Sequence, residues 1–142
     1  MDSNGKRRSL QQHKRYFALM KAAFDQWPER SRSRFRPDSE DHLRKWLQCK
    51  AGHRTLVEVD VPATDPRTME IVKTAVAAAM AATRDHAWVT QYNGKVAVVA
   101  SKSINFETLS HRDFDALSRA VENIIKAETG IEPEALLRER AA

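Results

Sequence analysis

The chain has 142 residues, 42% of them hydrophobic and 30% charged, with a formal net charge of +5 and a single cysteine. That length suits one domain that buries its own core, and no run approaches the roughly 20 apolar residues of a membrane span. One cysteine excludes an internal disulfide, and Met1 to Arg8 lead into no apolar stretch of secretory type, so a cytoplasmic protein is expected.

The charge is unevenly placed. Residues 1–54 hold 14 Lys and Arg against 6 Asp and Glu, whereas residues 55–142 hold 10 against 13. A basic half on a near-neutral body is the electrostatic footprint of a nucleic-acid binder; a solvated cationic surface is the plainer alternative.

In chain order, residues 1–8 read as a flexible basic arm. Ser9 with Gln12 forms a capping box that opens a helix over Leu10 to Gln26. His13, Phe17, Met20, Phe24 and Trp27 recur at steps of four and three and share one face. Arg7, Arg8, Lys14, Arg15 and Lys21 add a cationic side to the same stretch. Pro28 ends the helix. Glu29 to Pro37 is then a serine-rich loop in which Arg30, Arg32, Arg34 and Arg36 alternate with small or aromatic residues. An extended backbone would project the four together, and the sequence leaves open whether the loop is ordered.

Asp38 or Ser39 caps a second helix to Ala51, with Gly52 as its stop and Leu43, Trp46, Leu47 and Ala51 as its buried stripe. Arg54 to Val61 alternates as a strand, with Val57, Val59 and Val61 opposite Glu58 and Asp60. A third helix opens at Thr64 or Asp65 before Pro66 and runs to about Arg84. Its small-residue run, Ala75 to Ala82, fits a close helix contact within the chain or between subunits. Strands over His86 to Tyr92 and Lys95 to Ala100 flank Asn93-Gly94, a strong hairpin signal. Ser110 with Asp113 starts a fourth helix carrying Phe114, Leu117, Val121, Ile124 and Ile125 inward to Gly130. Residues 131–142 read as a frayed tail in which Pro133 to Arg140 adds a short frayed helix. The expected class is α+β, a body of about four helices with a small antiparallel sheet, in one domain over 9–130.

Catalytic and metal signals are sparse. Cys49 and His53 have no second ligand pair at zinc spacing, and Cys49 reads as a small buried hydrophobe. No nucleophile elbow and no phosphate-cradling glycine loop occurs. Glu58 and Asp60 on one strand face are the carboxylates a metal-dependent nuclease would use, and acids on a solvated strand face are the bland alternative. What remains is cations beside aromatics: Lys14, Arg15, Tyr16 and Phe17, then Arg34, Phe35 and Arg36. That mixture suits single strands, whose exposed bases stack while cations hold phosphates. Phe17 and Phe24 on a helical stripe are core by default, which leaves Tyr16 and Phe35 as the freer stacking candidates.

Arg8-Ser9-Leu10-Gln11-Gln12-His13-Lys14-Arg15-Tyr16-Phe17 resembles the opening segment of the NinB (Orf) family of lambdoid phage recombination proteins. Lys102-Ser103-Ile104-Asn105-Phe106, followed by Asp113-Phe114, is similar to a segment late in that family and closer still to a related group of phage proteins. The resemblance implies a homodimeric DNA-binding protein that helps recombination machinery onto strands coated by single-strand-binding protein. It implies DNA contacts at Gln12, Phe17, Ser103 and Asn105. Phe17 stands where the family has tryptophan, and Phe106 where a basic residue is expected, which moves the phosphate contact to Lys102.

The combined expectation is a non-catalytic, cofactor-free DNA-binding accessory protein of phage recombination that prefers single strands or junctions. Arg7, Arg8, Lys14, Arg15 and Lys21 would neutralise phosphates and Gln12 would hydrogen-bond a base or sugar. Arg30, Arg32, Arg34, Arg36, Arg44, Lys45 and Lys50 would extend the track, with Lys95 and Lys102 at the hairpin. The alternatives are a metal-dependent phage nuclease using Glu58 and Asp60, and a module that grips an acidic host protein.

Overall fold

The computed structural model describes residues 10–62, 65–83, 86–102 and 109–141. In chain order its elements are α1 (Leu10–Asp25), α2 (Glu40–Lys50), β1 (Arg54–Asp60), α3 (Pro66–Thr83), β2 (Trp88–Tyr92), β3 (Lys95–Ser101), α4 (His111–Thr129) and α5 (Pro133–Ala141). The class is α+β, made of helices and a small three-stranded antiparallel sheet. The chain forms two compact units, one from segments 1–52 and 103–142, the other from 53–102. The sequence alone points to a single domain over 9–130.

The first unit is a helical body in which α1 touches α2 and α5, and α4 touches α2 and α5. Ser39 is the cap of α2, its hydroxyl accepting from the His42 amide. Ser110 does the same for α4 through the Asp113 amide, and Gly130 closes that helix at φ +73°, a left-handed conformation that glycine adopts without strain. Phe114, Leu117, Val121 and Ile125 of α4 are buried as the spacing predicts. In α2 the buried set is Leu43, Trp46, Leu47, Gln48 and Cys49.

The core face of α1 differs from the predicted stripe. Tyr16, Leu19, Met20, Ala22 and Ala23 are buried, while His13, Phe17, Phe24 and Trp27 lie half-buried beside them. The physical reason is the polar handle of tyrosine. Tyr16 places its ring 5.2 Å from Phe114 and donates its hydroxyl to Gln48 Oε1 at 3.1 Å, so a side chain that looks amphipathic in sequence is 3% exposed. Burial pushes its hydroxyl pKa well above the ordinary range. The short helix expected within the tail over Pro133 to Arg140 is α5, which packs on α1 and buries Leu136 completely rather than fraying.

The second unit is a three-stranded antiparallel sheet in the order β1-β3-β2 with α3 against β2 and β3. Asn93 (φ 48°) and Gly94 (φ 73°) form the expected two-residue turn. Asp65 caps α3, accepting from the Arg67 amide at 3.0 Å and the Thr68 hydroxyl at 2.8 Å. Val96, Ala97 and Ala100 of the central strand are buried, whereas β1 is exposed along its whole length. Ala75, Ala77, Ala78 and Ala79 of the small-residue run are also exposed. Among the described residues no helix is long and apolar enough to cross a membrane. The basic arm 1–8, the capping Ser9 and Thr64 lie outside the described residues.

Candidate nucleic-acid interface

The arginine loop between α1 and α2 is held at both ends and in the middle. Trp27 Nε1 donates to the Phe35 carbonyl at 2.9 Å, and Ser31 Oγ donates to the same oxygen at 3.3 Å. From α4, Glu128 accepts the Ser33 amide at 2.9 Å and the Ser33 hydroxyl at 2.6 Å, and its carbonyl accepts the Arg32 amide at 3.2 Å. Arg34 bends the chain with φ 66°, its amide donating to the Ser31 carbonyl at 3.0 Å. Phe35 lies flat on Trp46 of α2, and Trp27 and His42 meet it edge-on.

The loop is therefore bent rather than extended, and the alternation survives at Ser31 and Phe35 but not at Ser33, which is exposed. Ser31 is 4% exposed and Phe35 half-buried, while Arg30, Arg32, Arg34 and Arg36 are all exposed. None of the four guanidinium groups forms an ion pair among the described residues. Lys50 adds a cation 5.4 Å from the Trp46 ring. Lys14 and Lys21, seven residues apart and so on one face of α1, are exposed and likewise make no described ion pair.

Other predicted cations already meet carboxylates. Arg15 pairs with Glu122 at 2.7 Å and with Glu134. Burial alone would lower its pKa, but hydrogen bonds to the two carboxylates outweigh that and raise it. Arg44 pairs with Asp41, donates to Gln48 Oε1 at 3.1 Å and sits 5.5 Å above the Phe17 ring. Lys45 meets Asp41 at 3.1 Å. Burial would raise the Asp41 pKa, but the hydrogen bonds from Lys45 and Arg44 hold it below the ordinary carboxylate range. In the second unit Lys95 stands 4.0 Å from Glu58 and 3.8 Å from Asp60, and Lys102 is exposed. Folding thus sets part of the basic N-terminal half against acids of α4 and α5. The 14 Lys and Arg of residues 1–54 therefore overstate the cation surface on offer.

No known protein family, curated protein or solved structure matches the chain.

The predicted stacking residues are largely occupied. Tyr16 is core, and the same hydroxyl-to-Gln48 bond that buries it removes it as a platform. Phe17 has His13 at 4.9 Å, the Tyr16 ring edge-on at 5.5 Å and the Arg44 cation over its face. Gln12 lines a cleft of about 400 Å³ with Arg15, Tyr16, Asp115, Arg119, Glu122 and Glu134. Three carboxylates against two guanidiniums make that cleft a poor seat for phosphate. Arg7, Arg8, Ser103 and Asn105 lie outside the described residues.

Two residues at the centre of the loop's architecture escape sequence reading. Glu128 is 95 positions from Ser33 and looks like any exposed helix acid. Trp46 reads as plain core, and nothing local marks it as the plate on which Phe35 rests. For the nuclease alternative, Lys95 stands beside Glu58 and Asp60, and Glu58 also accepts from the Tyr92 hydroxyl. Among the described residues no group of three or more His, Cys, Asp or Glu is placed to hold a metal ion.

Proposed function

We propose that this chain is a non-catalytic DNA-binding accessory protein of phage recombination, of the NinB type, acting as a homodimer in the bacterial cytoplasm and needing no cofactor. Its DNA is single-stranded or a junction. The observation that carries the reading is the exposed set Arg30, Arg32, Arg34 and Arg36 on a loop fixed by Glu128 and by the Phe35–Trp46 stack. Guanidinium groups without carboxylate partners on a pinned backbone meet phosphates with little ordering cost, and they act as forks rather than point charges. Lys14, Lys21 and Lys50 supply further positive charge. Gln12, Phe17, Ser103, Asn105 and Lys102 enter as the contacts the family resemblance implies. Arg15, Arg44, Lys45 and Lys95 carry less of the binding, because their charge is already countered.

A preference for single strands follows from aromatic and cationic side chains sharing one surface. Phe35 is the half-buried aromatic among the loop arginines, and with one face already on Trp46 it offers a base at most its other face. The same arginines suit an acidic protein tail, such as that of a single-strand-binding protein, and the two partners are compatible in one recombination mediator.

The test is a titration of labelled single-stranded, duplex and junction oligonucleotides at several salt concentrations, with and without Mg²⁺. Tighter binding of single strands or junctions, with a steep negative salt slope and no cleavage, is the expected result. Mg²⁺-dependent cleavage lost in Glu58→Ala would replace this reading with the nuclease. Absence of binding at low salt would leave the acidic protein partner, to be read by a pull-down that survives nuclease treatment.

A further inference from the structure

Among the described residues the strand order leaves one side of β1 without a partner strand. All seven of its residues are exposed, and of the six large hydrophobic side chains exposed among the described residues three, Leu56, Val57 and Val59, lie on it. Soluble proteins usually blunt such an edge with a lysine, a proline or a bulge. β1 has no Lys or Pro, and its register with β3 is unbroken. The other edge strand, β2, is shorter and has α3 against it.

The backbone dictates what can be added. Val61 donates to the Gly94 carbonyl at 2.8 Å, and Lys102 donates to the His53 carbonyl at 3.2 Å. The odd-numbered residues of this strand therefore turn their backbone groups to β3, so Arg54, Leu56, Glu58 and Asp60 turn theirs outward. Antiparallel pairing of two copies about a two-fold axis at Val57 sets Arg54 opposite the partner's Asp60 and Leu56 opposite the partner's Glu58. All of these belong to the outward set, so donors meet acceptors across the axis. This register uses the whole strand and places opposite charges face to face at both ends. The strand is complementary to itself.

We propose that two copies of this chain associate through β1, joining their sheets into one continuous antiparallel sheet across a two-fold axis at Val57. The association hides the exposed edge and part of Leu56, Val57 and Val59, and its interface is isologous, so it closes at two copies. This gives a surface to the two-copy part of the function proposed above and does not depend on DNA.

The test is sedimentation equilibrium of the full chain without DNA, as wild type, Arg54→Asp, Asp60→Arg and the double exchange. Wild type is expected to be a dimer. Each single exchange sets like charges opposite each other at both ends and weakens association roughly tenfold. The double exchange recovers it, and so does an equimolar mixture of the two single variants, because opposite charges again face each other. Recovery separates lost pairing from lost folding. A wild type that stays monomeric at every concentration overturns the interface and the two-copy reading together. A dimer indifferent to both exchanges, or a mixture that fails to recover, overturns the β1 interface and leaves the two-copy reading standing.

Discussion

Phe35 lies on Trp46 with ring centroids 4.2 Å apart and planes 2° from parallel. The contact joins the middle of an arginine-rich loop to the buried face of α2, and it turns a stretch that looks like a linker into a fixed surface. Arg34 and Arg36 flank the stacked ring in sequence, so their backbone positions follow from it. The loop's second anchor, Glu128, holds Ser33 from the opposite side. Arg34 lies between these two anchors and is exposed, as Arg32 and Arg36 are on either side of them.

Replacing Phe35 with alanine removes the stack and uncovers Trp46. Stability should fall by about 1–3 kcal/mol, less than for a fully buried ring, because Phe35 is only half-buried. Urea unfolding followed by tryptophan fluorescence reads this directly. Single-strand affinity should drop as well, because the arginines lose their fixed backbone.

Glu128→Ala removes the acceptor for the Ser33 amide and hydroxyl. The expected cost is about 1–2 kcal/mol, with faster hydrogen exchange at the Ser33 amide. Unchanged exchange there would mean that the aromatic stack alone holds the loop.

Arg15→Ala leaves Glu122 and Glu134 without their shared cation. Because the site is partly exposed, the loss should be only about 1 kcal/mol, and the salt slope of oligonucleotide binding should stay as in wild type. A shallower slope would return Arg15 to the set that meets phosphate.

Acid sensitivity follows from two aspartates held below their ordinary range. At Asp41 the hydrogen bonds from Lys45 and Arg44 outweigh burial, and at Asp65 hydrogen bonds from the Thr68 hydroxyl and the Arg67 amide favour the charged form. A depressed native pKa contributes stability that is present above the unfolded value of about 3.9 and is lost as pH falls through the native value. Urea unfolding between pH 7 and pH 3 should therefore show a decline confined to the acid end. Asp41→Asn should make that decline shallower and lower stability at pH 7.

The local elements were legible in the sequence because their signals are local. Ser39, Ser110, Asp65, Gly130 and Asn93-Gly94 each satisfy a backbone need within four residues of themselves. The phase of α1 was not legible, since Leu19, Ala22 and Ala23 compete with Phe17 and Phe24 and only Phe114 and Gln48 decide between them. The arginine track was legible as composition. Which of its cations already meet carboxylates was not, because the pairing of Arg15 with Glu122 and Glu134 spans more than a hundred residues. A separation of 95 residues likewise hides Glu128, whose part in fixing the loop exists only once α4 lies beside it.

The central claim is that the loop arginines carry the DNA contact. The most direct test compares the salt dependence of single-strand binding for wild type and for a variant with Arg30, Arg32, Arg34 and Arg36 all changed to alanine, after unfolding measurements establish that both are folded. On single strands each lost phosphate contact should reduce the slope of log affinity against log salt by about 0.7, so the variant's slope should be markedly flatter and its affinity at low salt lower. Equal slopes and equal affinities would contradict the account, and the loop would then be a solvated surface.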